Sequence, residues 1–335
     1  MSPNRPPARV AVLGTGKIAQ VVHLPILHRM RGVELAAVVD TDRAKARTIS
    51  GRFGVDVPMT QDEVWRDESI QAVVICTPSH LHEEHVVQAL QAGKYVLCEK
   101  PLALTAEGVE RILAQEGAET RLQVAMNQRF RPDAVALKTF VSGGELGEVF
   151  YLKAGWLNRG TARARRSWRQ RREQGGGALM DLGVQMLDLA LWLLDYPEAE
   201  RVTAHTHREA GAEVEESAAL MLRLRGDRLV GMEVTSNLRA ERDRQFLHLS
   251  GSEGSGSLAP LAVYKEMESG LVNVTPPLPP GRENIFTASY RAELQYFVDV
   301  VRGERETELP REHVALMRIL AAAYRSAEER REVTL

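Results

Sequence analysis

The sequence predicts a two-domain α/β protein. A short tail (residues 1–7) precedes a doubly wound parallel sheet (8–127), and a second α/β domain with a mostly antiparallel sheet follows (128–335). Three observations predict this. Short β-branched runs alternate with helix-like stretches up to about residue 127, the pattern of parallel strands joined by helical crossovers. Beyond that point strand-like runs follow one another with turn signals such as Arg225-Gly226-Asp227 and few helices between them, the pattern of an antiparallel sheet. The chain's 335 residues also suffice for two domains of about 100–200 residues each.

In the first domain the strand runs are RVAVL (9–13), VELAAVVD (33–40), QAVVI (71–75), KYVLC (94–98) and LQVAM (122–126). Between them lie KIAQVVHLPILHRM, AKARTISGRFG, HLHEEHVVQALQAG and AEGVERILAQ, which read as helices. In the second domain VFYLKAGWL, RVTAHTH, AALMLRL, RLVGMEVTS, QFLHLSG and AVYKEME read as strands. GGGALMDLGVQMLDLALWLLD (175–195) reads as an apolar helix with a polar stripe of Asp181, Gln185 and Asp188. PPLPPG (276–281) breaks the strand pattern, and two amphipathic helices, about 287–302 and 311–330, close the chain.

The formal net charge of −2 argues against general nucleic-acid or membrane-surface binding. Cys76 and Cys98 follow apolar runs without metal-type spacing, so both are expected to be reduced core thiols of a cytoplasmic protein, with no metal site. The start, MSPNRPPAR, carries no signal-like apolar stretch, and no run is expected to approach the ~20 apolar residues of a membrane span.

Gly14-Thr15-Gly16-Lys17-Ile18-Ala19 follows the first strand and opens a helix, which is the strand–turn–helix setting of a dinucleotide fingerprint. Gly14 permits the tight turn, Gly16 lets the backbone approach a pyrophosphate, and the helix N-terminus offers N–H groups to phosphate. The second strand ends in Asp40, placed to accept hydrogen bonds from the adenosine ribose and to repel a 2′-phosphate, which favours NAD. Arg43 keeps NADP open, since it could pair with that phosphate.

Cys76-Thr77-Pro78-Ser79-His80-Leu81-His82 leaves the third strand where a doubly wound sheet has its ligand crevice. Glu99-Lys100-Pro101 leaves the fourth at the same edge. With GTGKIA, CTPSHLH, GKYVLCEKPLA, Asn127-Gln128-Arg129-Phe130, Trp168-Arg169, GGGALMDLG and AAAYRSAEE in this order, the sequence resembles the glucose–fructose oxidoreductase / inositol dehydrogenase / rhizopine-catabolism (Gfo/Idh/MocA) family over nearly its whole length. The resemblance implies an N-terminal Rossmann domain and a C-terminal α/β domain with a large open sheet. It also implies NAD(P)-dependent oxidoreduction of a sugar, cyclitol or related polyol, and a homodimer or homotetramer formed through that sheet. It places Lys100 by the nicotinamide and the substrate hydroxyl, Thr77 and Pro78 on the cofactor with Ser79 and His82 nearby, and Glu99 by the nicotinamide ribose. Asn127 is grouped with the cofactor contacts. Arg129, Trp168 and Arg169 are grouped with the substrate wall. His80 and His82 as solvated loop residues, and Asn127 and Arg129 as braces, remain open readings.

The family's helix motif is Asp-x-Gly-x-His-x-x-Asp, and here Asp181, Gly183 and Asp188 match while Gln185 stands at the histidine position. That histidine usually takes the hydroxyl proton. An amide can hold a hydroxyl but cannot remove its proton. The favoured consequence is that Lys100 carries the acid–base role, with Asp181 and Gln185 as the other catalytic-site residues. Two other outcomes stay open: transient use of a bound nicotinamide, as in redox-assisted glycoside cleavage, and a dinucleotide-binding sensor without turnover. Asp188, one turn deeper, reads as a packing or ion-pair residue. The arginines at 159, 163, 165, 166, 169, 171 and 172 read as a solvated loop, or as a site for an anionic substrate.

Overall fold

The computed structural model describes residues 6–55, 59–160, 168–278 and 284–335. Residues 1–5 of the tail, Arg163, Arg165, Arg166 and the end of the PPLPPG segment lie outside the described residues. Strand β1 (Ala8–Leu13) passes through the glycine turn into a helix that contains a π-helical turn (Ala19–His23) and continues as α1 (Leu24–Arg29). Then follow β2 (Val33–Val39), α2 (Arg43–Arg52), α3 (Gln61–Arg66), β3 (Ala72–Ile75), α4 (His82–Gln91), β4 (Tyr95–Glu99), α5 (Ala106–Leu113), α6 (Ala118–Arg121) and β5 (Leu122–Ala125). The strands pair in the order β2-β1-β3-β4-β5, every pair parallel. All four residues of β3 are buried, which is why a strand covered on both faces reads as a continuous apolar run. Two helix starts here are capped by side chains: Asp42 accepts from the Ala44 and Lys45 N–H groups of α2, and Thr60 and Glu63 form a capping box on α3. Cys76 and Cys98 are buried thiols that burial pushes up.

The chain continues through α7 (Pro132–Ser142), β6 (Val149–Arg159), a second π-helical turn (Leu179–Gly183) and α8 (Val184–Leu193). Next are β7 (Ala199–His207), β8 (Ser217–Leu224), β9 (Arg228–Leu238), β10 (Arg244–Gly251), β11 (Gly254–Leu258), β12 (Ala262–Met267) and β13 (Gly270–Asn273). α9 (Ile285–Val301), α10 (Glu312–Glu329) and β14 (Val333–Thr334) end the chain. A nine-stranded sheet has the order β13-β12-β11-β10-β6-β9-β8-β7-β14. Only the β6–β9 pair is parallel, after the crossover that contains α8; the others are antiparallel.

The chain forms two compact units: Met1–Asn127 with Glu283–His313, and Gln128–Arg282 with Val314–Leu335. A boundary at 127 therefore describes the order of the chain but not its packing. Tyr290, Leu294, Phe297, Val298 and Val301 of α9 join the first unit's core beside Val10, Val12, Leu24 and Leu27, because α9 buries its apolar stripe there. One expectation is corrected. Arg172–Leu193 is long and apolar enough by composition to cross a membrane, but 89% of its most apolar window is buried inside the protein, so this is a core helix.

Candidate functional site

Each unit contributes a set of motif residues. In the first, Gly14 has φ +86° and donates its N–H to Val39 O at 2.8 Å. A Cβ there would lie 2.8–2.9 Å from the backbone of Cys76 and Thr77, so the turn passes directly under the loop leaving β3. At Gly16 a Cβ would meet nothing nearer than Cys76 O at 3.8 Å, which leaves the backbone open to close approach by a phosphate. Lys17 is exposed and Ile18 half-buried at the start of the helix that follows.

Thr15 is fully buried, and its N–H and hydroxyl both donate to Oδ2 of Asp40, the N–H at 2.9 Å. Lys45 Nζ reaches the same oxygen at 3.0 Å, while Oδ1 accepts the Asp42 N–H at 3.0 Å. Burial pushes the Asp40 carboxyl up, but the hydrogen bonds from Thr15, Asp42 and Lys45 outweigh it and hold it at about 2. Asp40 is thus an ionised acceptor with its crowded oxygen tied to the glycine turn, and its Oδ1 has lone pairs beyond the Asp42 bond for ribose hydroxyls. These residues fit a dinucleotide.

Pro78 and Thr77 are half-buried at the exit of β3. Thr77 Oγ1 lies 3.0 Å from Nδ1 of His85. His82 was expected beside the cofactor, but it is 1% exposed, with Nδ1 at 2.7 Å from Pro101 O and Nε2 at 2.9 Å from Thr77 O. It ties together the two loops leaving β3 and β4, and burial pushes its imidazole down. His80 is exposed and Ser79 buried. Glu99, the last residue of β4, bonds through Oε1 to Nε2 of the fully buried His23 at 2.7 Å. Burial pushes the Glu99 carboxyl up, but the hydrogen bond and field of His23, with Lys100 beyond, leave it below the ordinary value. Lys100 follows it, half-buried, joined to Pro101 by a cis peptide. Asn127, expected among the cofactor contacts, is 2% exposed and donates through Nδ2 to Ser289 Oγ at 2.9 Å, which makes it a tether for the start of α9.

In the second unit the π-turn brings Asp181 to the start of the polar stripe. Asp181 Oδ2 accepts from Arg169 Nε at 2.9 Å, and the Arg169 guanidinium lies 4.5 Å from the centre of the Trp168 ring. Gln185 donates through Nε2 to Asp181 O at 3.1 Å. Asp188, one turn on, is 0% exposed; it takes Arg129 Nε at 2.8 Å and Nη2 at 2.5 Å, and Tyr196 OH. Arg129 therefore anchors the helix. Of the two roles expected for it, the bidentate ion pair favours the brace over the substrate contact, since a buried carboxylate requires such a partner. At the other end of α8, Lys138 Nζ takes the Trp192 and Leu193 carbonyls at 2.8 and 3.2 Å.

Sequence reasoning gave no role to Lys45, His23, His85, Lys138, Glu215 or Tyr324, although Tyr324 lies in the AAAYRSAEE run, because each acts on a partner outside its own motif.

The comparisons with known proteins identify the family. Residues 8–127 match the family model described as the oxidoreductase family, NAD-binding Rossmann fold, and residues 138–335 match that of the oxidoreductase family, C-terminal alpha/beta domain. The chain belongs to the Gfo/Idh/MocA oxidoreductase family. Within it, the chain is 26% identical to the D-glucoside 3-dehydrogenase of Escherichia coli K12, over 98% of each protein. It is 31% identical to inositol 2-dehydrogenase 1 of Saccharopolyspora erythraea, over 88% of this chain and 87% of that one. Among solved structures, GenD2 from gentamicin A biosynthesis, in complex with NAD, superposes with a TM-score of 0.85 at 28% identity, covering 99% of this chain and 97% of that one.

Proposed function

We propose that the chain is an NAD-dependent dehydrogenase that moves hydride between a secondary alcohol of a sugar, glycoside or cyclitol and the cofactor. The observation that carries this reading is the ionised Asp40 carboxylate, held against the glycine turn by Thr15, in a chain of the NAD-binding family. A carboxylate there accepts ribose hydroxyls and repels a 2′-phosphate, so NAD is preferred. Gly16, Lys17 and Ile18 offer backbone N–H groups to the pyrophosphate, while Gly14 and Thr15 shape the turn through their bonds to Val39 O and Asp40. Thr77 and Pro78 border the nicotinamide side, and Glu99, ordered by His23, takes the ribose there. When bound, NAD supplies the hydride acceptor. Lys100, acting as the neutral amine, takes the alcohol proton. Asp181 and Gln185 hold the substrate hydroxyls, Gln185 through its amide oxygen or its second N–H, the first being given to Asp181 O. Arg169 is paired with Asp181, which favours a neutral polyol over an anionic one. The full-length likeness to named dehydrogenases weighs against a sensor without turnover.

The test is NADH formation by the purified chain across neutral cyclitols, sugars and glycosides, with sugar acids and sugar phosphates beside them. Turnover of a neutral member with NAD in preference to NADP is the expected result. Tight NAD binding without turnover of any member would reverse the reading in favour of the sensor.

The oligomer belongs to the same proposal. On one face of the nine-stranded sheet Tyr151 stands beside Leu229 and Lys153 beside Gly231, which itself pairs with Met221. Met221 is 45% and Leu229 38% exposed, an apolar surface that suits a second copy of the chain. Light scattering is expected to report a homodimer or homotetramer, and Met221→Glu with Leu229→Glu to shift it to monomer. A monomeric parent would rule out this face. A cytoplasmic location, resting on the reduced thiols, completes the proposal and is checked by fractionation.

A further inference from the structure

We infer that Glu215, on the strand side of the second unit, is a positioning residue that sets the start of the polar helix and with it the placement of Asp181 and Gln185. This rests on the reading of those two residues as the substrate wall.

A helix start leaves four N–H groups without intrahelical partners, and they are normally met by a local side chain. Here the residue before the π-turn is Ala178, which makes no side-chain cap. The cap arrives from 36 residues further along the chain: Glu215 Oε1 accepts the buried Leu179 N–H at 2.9 Å. The backbone carbonyl of Glu215 accepts the Ala178 N–H at 3.0 Å, so main chain and side chain of one residue take two successive amides. Tyr324, on α10, donates its hydroxyl to the same Oε1 at 3.0 Å. The negative carboxylate also complements the positive end of the helix.

Gly177 completes the arrangement. Its φ is +112°, and a Cβ there would lie 2.5 and 2.7 Å from the two Glu215 carboxylate oxygens. The third glycine of the triplet is therefore required by the close approach of the carboxylate. Gly177 O in turn accepts the Asp181 N–H at 2.9 Å, and Asp181 O accepts Gln185 Nε2 at 3.1 Å. Gly177, which Glu215 packs against, thus bonds directly to Asp181, and Asp181 in turn bonds to Gln185. Glu215 is 6% exposed, with its Oε1 taken up by the Leu179 N–H and the Tyr324 hydroxyl, and burial pushes both its carboxyl and the Tyr324 hydroxyl up, so Tyr324 keeps the proton it donates.

The test compares Glu215→Ala, Glu215→Gln and Tyr324→Phe in the full chain by hydrogen exchange, NAD affinity and steady-state kinetics with NAD and myo-inositol, or the polyol turned over best. In Glu215→Ala, exchange at residues 179–182 is expected to quicken about 2–30-fold, the range for a lost cap. kcat is expected to fall about tenfold or more through misplacement of the wall. NAD affinity, a property of the other unit, stays within about twofold, and Glu215→Gln, which keeps an acceptor oxygen in place, recovers most of kcat. Unchanged exchange overturns the cap, and faster exchange with unaltered kcat and KM overturns the positioning role. Should Glu215→Ala not fold, Tyr324→Phe decides in the same way through smaller changes of the same sign. If no polyol is turned over by the parent, the functional reading fails separately, and exchange confined to residues 179–185 still decides whether Glu215 sets the wall.

Discussion

Replacing Lys100 with methionine is expected to lower kcat by about 10²–10⁴-fold, the range for removing a positioned acid–base group, while NAD affinity stays close to the parent's. Methionine keeps the apolar stem and removes the ammonium, so packing at the end of β4 is retained. Two features make the expectation strong. Lys100 directly follows the last residue of a central parallel strand, on the edge where such sheets bind ligands. And Gln185 stands where the family resemblance leads one to expect a histidine, and its amide neither gains nor loses a proton at working pH. Lys100 in the first unit and the Asp181 carboxylate in the second are the two proton acceptors that the proposed reading weighs. A companion variant separates them. Gln185→His in the Lys100→Met background is expected to restore part of the rate, with a rise through the ordinary histidine range near pH ~6.5. A Lys100→Met enzyme with parental kcat would remove the lysine from the mechanism and leave Asp181 as the proton acceptor.

What the sequence could and could not disclose follows from how far each signal reaches. The five parallel strands were legible because each is a short apolar run between helices, and β3, buried on all four residues, is the clearest of them. The glycine turn and Asp40 were legible because their spacing is local chemistry. β11 was not: Gly254-Ser255-Gly256-Ser257 has no β-branched residue, and its glycines are demanded by neighbours, Leu137 lying where a Cβ of Gly256 would go. Nor was the return of α9 to the first unit's core, since an apolar stripe does not name the surface it will cover. The polar stripe shows the same divide. Its spacing announced one face of a helix, but the partners that separate wall from anchor sit at sequence distances of 59 for Arg129 and Asp188 and 36 for Glu215 and Leu179. Likewise, nothing in the CTPSHLH run indicates that the two ring nitrogens of His82 each face a backbone carbonyl.

Arg129→Met is expected to cost about 3–5 kcal/mol of stability, the range for leaving a buried charge without its partner. For a unit of this size that corresponds to a fall in Tm of roughly 6–20 °C. Asp188 is 0% exposed and takes two guanidinium bonds, so its carboxylate loses its compensating charge in a place water does not reach. The double variant Arg129→Met with Asp188→Leu is expected to recover much of the loss, because the desolvation penalty of the pair leaves together with its attraction. Thermal unfolding of the two single variants and the double variant reads the coupling directly. The same series decides between the two roles open to Arg129. An anchor gives a large coupling to Asp188 and a KM that holds in whatever protein remains folded, whereas a substrate contact gives a raised KM at nearly parental Tm. The bidentate geometry selects the first outcome. It follows that the charge at Asp188 secures the helix within the unit, whereas Asp181, whose side chain is 21% exposed, is the residue of the stripe best placed for the proposed contact with substrate.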